Sequence, residues 1–489
     1  MLWSSFDACL LTNTDPPMTA TDLTLLDAVD LLRLMVRKEI SCAEVMEAVL
    51  ARVDAVNPAI NAIVSMPDRD TLMAAAKAAD NTPRTGPLRG LPFVVKDLVE
   101  VKGLRSTHGS PIFADHVPAQ DDLLAERLRA AGAIFIGKTN TPEFGMGSQS
   151  YNPVHGVTRN PYDITKTAGG SSGGAAAALA ARLVPLADGS DMMGSLRNPA
   201  AFCNVYGFRP TFGLVPGDPR KESFFNQLAT DGPMARSVED LAFLMDVIAG
   251  PDPRLPHSHA EVPKFTGLLD GDVKGLKIGW IGDWNGHYAM EAGVLDQCEG
   301  AFAAFADLGV EVEPFVPSFA PEKIWNSWLT LRSFAIAGGL KALYDKPSTR
   351  AKLKPEAIWE IECGLALSSM EVFEASTVRS SWYRQLARAF ERFDVLALPS
   401  AQVFPFDADT HWPSEIAGRP MATYHQWMEV VIPASLVGVP ALNVPVGFTA
   451  SGLPMGLQLI GPKGADLKLL RLGHAYHQAT NWVENVPWV

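Results

Sequence analysis

Two serines and a lysine in this chain have the types and spacing to pass a proton to and from a nucleophile without a histidine. Ser171 lies in Gly169-Gly170-Ser171-Ser172-Gly173-Gly174, and Ser195 follows 24 positions later in Asp191-Met192-Met193-Gly194-Ser195-Leu196-Arg197. Lys96 sits upstream, in Pro92-Phe93-Val94-Val95-Lys96-Asp97. A serine hydroxyl is a weak nucleophile until a neighbouring base takes its proton. A solvated lysine, with a pKa of about 10.4, is protonated at neutral pH and cannot serve as that base. Lys96, however, follows the apolar run 91–95, and burial behind that run favours the neutral amine. Bringing its pKa near 7 corresponds to about 4–5 kcal/mol of differential stabilisation of the two forms. One serine can then donate to the neutral lysine while accepting from the other.

Each segment alone has other readings. Gly-Ser stretches can be flexible linkers, and glycines opening a helix can cradle phosphate. An alanine-rich run and a strand-like run follow at once, against a linker, and the Gly-Lys-Ser/Thr of a nucleotide P-loop is missing. Residues 169–173 also match G-x-S-x-G, a turn that must follow a buried strand in α/β-hydrolases; residues 163–168 are too polar for one. A Ser-His-Asp triad would need one of the ten histidines. His257 and His259 fall in a proline-rich stretch, and His474 and His477 in a C-terminal helical pattern, without an acid-base context. Neither HExxH nor Ser-x-x-Lys occurs.

Together, Pro92–Asp97, Gly169–Gly174 and Gly189-Ser190-Asp191-x-x-Gly194-Ser195-Leu196-Arg197-x-Pro199-Ala200-x-Phe202-Cys203 resemble the amidase signature family. Gly137–Phe144, Gly207–Thr211, Gly452–Gln458 and the N-terminal helix pair ending at Val56-Asn57-Pro58 resemble it as well, so the likeness spans roughly residues 25–480. The resemblance implies hydrolysis of a carbon–nitrogen amide bond through a seryl acyl-enzyme, with no cofactor and no metal. It implies a Ser-cisSer-Lys triad in which Ser195 is the nucleophile, Ser171 the relay behind a cis peptide, and Lys96 the general base. It also implies an oxyanion hole of main-chain N–H groups from Met192, Met193, Gly194 and Ser195, with Asp191, Arg197 and Ser172 in support. Methionine at 193 departs from the glycine common there in the family.

By analogy with the family's architecture, Met146, Tyr424 and Trp427 are expected to wall the substrate pocket. Residues 320–430 carry Trp325, Trp328, Trp359, Trp382, Trp412 and Trp427, most of which helix cores would account for. An apolar or aromatic small-molecule amide, such as an anilide, is the expected substrate. A carbamate (urethane) or ester is the substrate-level alternative, because the same acyl-enzyme step serves all three. A glutamine amidotransferase subunit is the alternative by class, which Met193 and the tryptophan-rich region fit less well. A non-catalytic scaffold would have no need of three intact triad positions.

The elements that must hold these residues are legible in part. Leu25, Val29, Leu32 and Val36 make one helical face. Ser41 with Glu44 is a capping box that opens a helix with a Val45, Val49, Val53 stripe, ending at Asn57-Pro58. Strands are expected at 91–95, 133–137, 183–187, 277–281, 395–398 and 442–446, with helices over 122–131 and 173–182. Residues 250–264 read as a proline-rich surface loop. This alternation predicts an α/β fold, a single large domain over 18–489 with a mixed, mostly parallel β-sheet core covered by helices. Residues 1–17 read as a poorly specified extension, and Met18 is an alternative start.

Composition narrows the partners. The 489 residues are 47% hydrophobic and 19% charged, enough for a large core. A net charge of −13 with no basic run argues against nucleic acid and anionic membrane as partners. Residues 430–450 are uncharged, but Pro433, Pro440 and Pro445 would break a spanning helix, so a buried strand and turn are expected. Five scattered cysteines (Cys9, Cys42, Cys203, Cys298, Cys363) form no CxxC pair and suit reduced thiols in a cytoplasm. The partner expected is a small-molecule amide or carbamate; a homodimer is compatible with the sequence.

Overall fold

The computed structural model describes residues 23–82 and 86–487. The N-terminal extension 1–17, Met18 and Cys9 lie outside the described residues. Helices α1 (Ala28–Val36) and α2 (Cys42–Ile60) open the fold. Leu25 precedes α1 and is exposed, so the buried face starts at Ala28. Ser41 and Glu44 cap α2 reciprocally, and Val45, Val49 and Val53 are buried. The helix runs through Pro58 to Ile60 rather than ending at it. The Asn57 carboxamide then accepts from the N–H groups of Ala62 and Ile63, steadying the exit.

Eleven strands form one sheet: β1 (Ile63–Val64), β2 (Pro92–Lys96), β3 (Ile134–Thr139), β4 (Leu186–Asp191), β5 (Tyr206–Arg209), β6 (Thr230–Ala235), β7 (Lys277–Trp280), β8 (Glu311–Pro314), β9 (Val395–Pro399), β10 (Ala441–Phe448) and β11 (Pro454–Ile460). Their order is β1-β3-β2-β4-β6-β5-β10-β11-β9-β7-β8. The sheet is mixed, as expected, but not mostly parallel. Only β3–β2, β2–β4, β9–β7 and β7–β8 run parallel. The remaining six neighbour pairs are antiparallel. Strand composition carries no direction, and the antiparallel β10 and β11 are joined by a short turn with no crossover helix.

Around the sheet lie α3 (Leu123–Ala130), α4 (Gly173–Ala180), α5 (Arg197–Phe202), α6 (Val238–Ile248), α7 (Pro321–Tyr344), α8 (Pro355–Ala366), α9 (Ser369–Ala389) and α10 (Asp466–Thr480). Every residue of α4 is buried. Its alanines explain this, because small apolar side chains on all faces let a helix sit inside a core. At Gly174 a Cβ would fall 2.3 Å from Asn140 N and 2.6 Å from the Ala62 carbonyl oxygen, so only glycine fits. β2 is buried along its whole length, which its Phe93-Val94-Val95 run dictates.

Residues 163–167 do form a strand, but it pairs with Arg159–Asn160 in a two-stranded ribbon outside the main sheet. Ser171 therefore does not leave a central strand, as a nucleophile elbow requires. Within 430–450 a short helix, Ile432–Ser435, precedes β10 where only strand and turn were expected. Among the described residues no helix is long and apolar enough to cross a membrane. Cys203, Cys298 and Cys363 are free thiols.

Candidate active site

β2 ends at Lys96, and the parallel β4 beside it carries Asp188, Ser190 and Asp191 to the same edge. Lys96 is fully buried. Its Nζ lies 2.8 Å from Ser171 Oγ, 2.8 Å from Ser172 Oγ and 3.0 Å from Ser190 Oγ. Three hydroxyls around one amine suit either protonation state: all accept from the ammonium, and one donates to the neutral form. Burial pushes the lysine down to about 8, against the pull of Asp188, Asp231 and Asp191. Its main-chain N–H donates to Asp188 Oδ1 at 2.8 Å. Burial raises that carboxyl to about 7, with the Lys96 N–H opposing.

The two serine segments are joined directly. Ser172 N–H donates to the Ser195 carbonyl at 3.3 Å, and Gly170 N–H to Asn198 Oδ1 on α5 at 3.2 Å. The Gly170–Ser171 peptide is cis. Ser171 and Ser195 line one cavity of about 130 Å³, although no hydrogen bond links their hydroxyls among the described residues. Met192 and Met193 also line it.

Asp191 organises the Ser195 loop. Its carboxylate accepts from Gly194 N–H at 2.9 Å, Leu196 N–H at 3.3 Å, Arg197 Nε and Nη2 at 3.0 Å each, and Arg209 Nη1 at 3.1 Å. Burial would raise this carboxyl, but Arg197 and Arg209 override it and hold it well below the usual carboxylate range. Arg197 also donates to the Val431 carbonyl, Gln458 Oε1 and Ser435 Oγ. The four N–H groups expected to form the oxyanion hole differ in their engagement. Gly194 N–H is taken up by Asp191, whereas the N–H groups of Met192, Met193 and Ser195 have no acceptor among the described residues. Glycine is still required at 194: φ is +76°, and a Cβ would meet Val431 at 2.8 Å.

Of the expected pocket residues, Met146 lines the cavity. Tyr424 stands behind the wall, its hydroxyl between Arg332 Nη2 (2.8 Å) and Glu360 Oε1 (3.0 Å). Trp427 is not a wall residue. Its fully buried indole stacks on Phe202 and meets Phe406 edge-on, an aromatic cluster that satisfies the ring without a substrate. Ile336, Arg332 and His425 supply the wall instead. His257 and His259 stay beside Phe212, and His474 and His477 on α10.

Several site residues escaped sequence reasoning. Ser190 sits inside the Gly189–Cys203 motif, next to Asp191, and that place in the motif was the signal. Arg209 closes Gly207-Phe208-Arg209, yet only the fold brings it to Asp191. Arg332, Glu360 and His425 lie on separate elements with no local pattern. A second cavity of about 250 Å³ adjoins the first across Leu98, Ser190 and Ala229 and holds Asp218, Lys221 and Asp231.

A family model described as Amidase matches residues 44–470. An acylamidase from Rhodococcus erythropolis is 35% identical over 96% of this chain and 98% of its own length. A glutamyl-tRNA(Gln) amidotransferase subunit from Roseiflexus sp. (strain RS-1) is 36% identical, covering 95% of this chain and 98% of its own. Among solved structures, a bacterial aryl acylamidase of the amidase signature enzymes superposes with a TM-score of 0.88 at 29% identity, over 94% of this chain and 98% of that one.

Proposed function

The chain belongs to the amidase family, signature hydrolases of carbon–nitrogen amide bonds, and on that premise we propose that it hydrolyses a neutral, apolar or aromatic small-molecule amide. Ser195 is the nucleophile, Ser171 the relay and Lys96 the base. The observation that carries this reading is a fully buried lysine, 2.8 Å from Ser171 and held down to about 8, beside a cavity that Ser171 shares with Ser195.

In this mechanism Ser195 Oγ attacks the amide carbonyl carbon, its proton passes to Ser171 Oγ, and the Ser171 proton passes to Lys96 Nζ. The carbonyl oxygen becomes an oxyanion beside the N–H groups of Met192, Met193 and Ser195, which have no acceptor among the described residues. Collapse breaks the carbon–nitrogen bond, and the relay returns the proton to the departing amine. Water then repeats the sequence on the acyl-enzyme, releasing a carboxylic acid and restoring Ser195. Carbamates and esters would follow the same steps.

A glutaminase reading is favoured by the Roseiflexus relative. The cavity chemistry weighs against it. Glutamine brings an ammonium and a carboxylate, each needing a free opposite charge. Arg332 on this wall is already paired with Glu360 at 2.6 Å, and no carboxylate lines the cavity among the described residues. The deciding experiment labels the purified protein with a fluorophosphonate, maps the adduct, and compares turnover of anilides, aliphatic amides, carbamates, esters and glutamine. Adduct on Ser195 with anilides fastest is expected. Label elsewhere, or glutamine fastest, overturns the reading.

A further inference from the structure

One end of the catalytic cavity carries two polar side chains that the hydrolytic steps do not use. His425 is 2% exposed and lines the cavity, and neither ring nitrogen has a hydrogen-bond partner among the described residues. Its ring is fixed by Tyr424 at 4.5 Å, Trp325 at 5.3 Å and Trp359 at 6.2 Å. A buried polar group without a partner is costly to maintain, so its partner is to be sought in what fills the cavity. Arg332, on α7, lines the same cavity. Its Nε and Nη2 are committed to Glu360 and Tyr424, but among the described residues Nη1 meets only the Met192 thioether, at 3.2 Å, a weak acceptor.

This end offers N–H donors without net charge. Glu360 balances the guanidinium, and burial, helped by Arg332, pushes His425 down to about 3, so the imidazole is neutral. Met146, Met192 and Ile336 are apolar walls of the same cavity. We propose that His425 and Arg332 Nη1 form a specificity site for a neutral hydrogen-bond acceptor, a carbonyl-type oxygen a few carbons along the acyl chain of the substrate. The acyl half is the half that stays on Ser195 while the amine leaves, and Ser195 and His425 share this cavity; the neighbouring cavity across Leu98, Ser190 and Ala229 leaves separate room for the departing amine. A plain hydrocarbon leaves both donors unpartnered, and a carboxylate is buried beside an arginine already neutralised, so both are disfavoured. The inference rests on the amide-hydrolase reading and extends it to the acyl group.

The test compares kcat/KM of the whole protein for three anilides: 4-oxopentanoyl, pentanoyl and 3-carboxypropanoyl. The ketone is expected to exceed the hydrocarbon by about tenfold, the size of one well-made hydrogen bond, and to exceed the acid by more. His425→Phe keeps the aromatic packing, and the ketone-to-hydrocarbon ratio should fall to near one; Arg332→Met should lower it too. Fluorophosphonate labelling of Ser195 in each variant shows that the fold and nucleophile persist. A wild-type ratio near one, with labelling and anilide turnover intact, overturns this inference alone, as does a ratio unchanged in both variants. No labelling and no anilide turnover overturns the amidase reading and this inference with it.

Discussion

Lys96 is held among three hydroxyls at the buried end of a strand, and its chemistry follows from that burial. With the amine lowered to about 8 from 10.5, the base form predominates only above that pH. The kcat/KM of a neutral anilide should therefore rise about tenfold per pH unit below 8 and level off above it; a flat profile from pH 5 to 9 would remove Lys96 from the role of base. The same shift has a stability consequence. Because the folded pKa lies below the unfolded one, the unfolded chain binds more protons between about 8 and 10.5, and stability should rise with pH across that window. Lys96→Met should then cut turnover at least 10³-fold while stabilising the protein at pH 7 by about 1–3 kcal/mol, read by urea denaturation. Met193 lines the cavity and its N–H has no acceptor among the described residues, so Met193→Ala should shift the preferred acyl chain towards longer ones in a chain-length series.

At the scale of elements, the Ser171 loop is positioned by the helix it opens. α4 lies wholly in the core, with Gly174 against the Asn140 N–H and the Ala62 carbonyl. Backbone on both sides cannot yield, so Gly174→Ala should cost about 3 kcal/mol or more and lower the midpoint of urea unfolding. The alanine-rich run makes this helix legible from the sequence, and Phe93-Val94-Val95 does the same for β2. The expected strand at 183–187 is instead Leu186–Asp191. Apolar patterning cannot extend a strand through Asp188, Ser190 and Asp191, whose burial depends on partners elsewhere in the chain. The Trp427 expectation fails similarly: an aromatic residue near the site is as well satisfied by Phe202 and Phe406 as by a substrate.

Across the whole molecule, Asp191 binds together β4, α5 and β5, with Arg197 and Arg209 fully buried beside it. Removing one cation from such a cluster leaves charge uncompensated in the core, so Arg209→Leu should destabilise by about 3–5 kcal/mol. In the native protein the Asp191 carboxyl is held low, so its contribution is present above the usual carboxylate pKa and is lost as pH falls through its own lowered value. Arg209→Leu should therefore begin to lose stability at a higher pH during acid titration, monitored by circular dichroism. The sequence by itself determined which residues are candidates for the chemistry: the glycine-bounded serines, the lysine behind an apolar run and the Asp191–Arg197 spacing are local patterns, set by what neighbouring residues must be for the backbone to pass. Tertiary structure alone decided the sheet's antiparallel majority, the engagement of Gly194 N–H and the Arg332–Glu360–His425 cavity end. Those depend on contacts between residues far apart in the chain, where burial and charge compensation, not local pattern, select the partner.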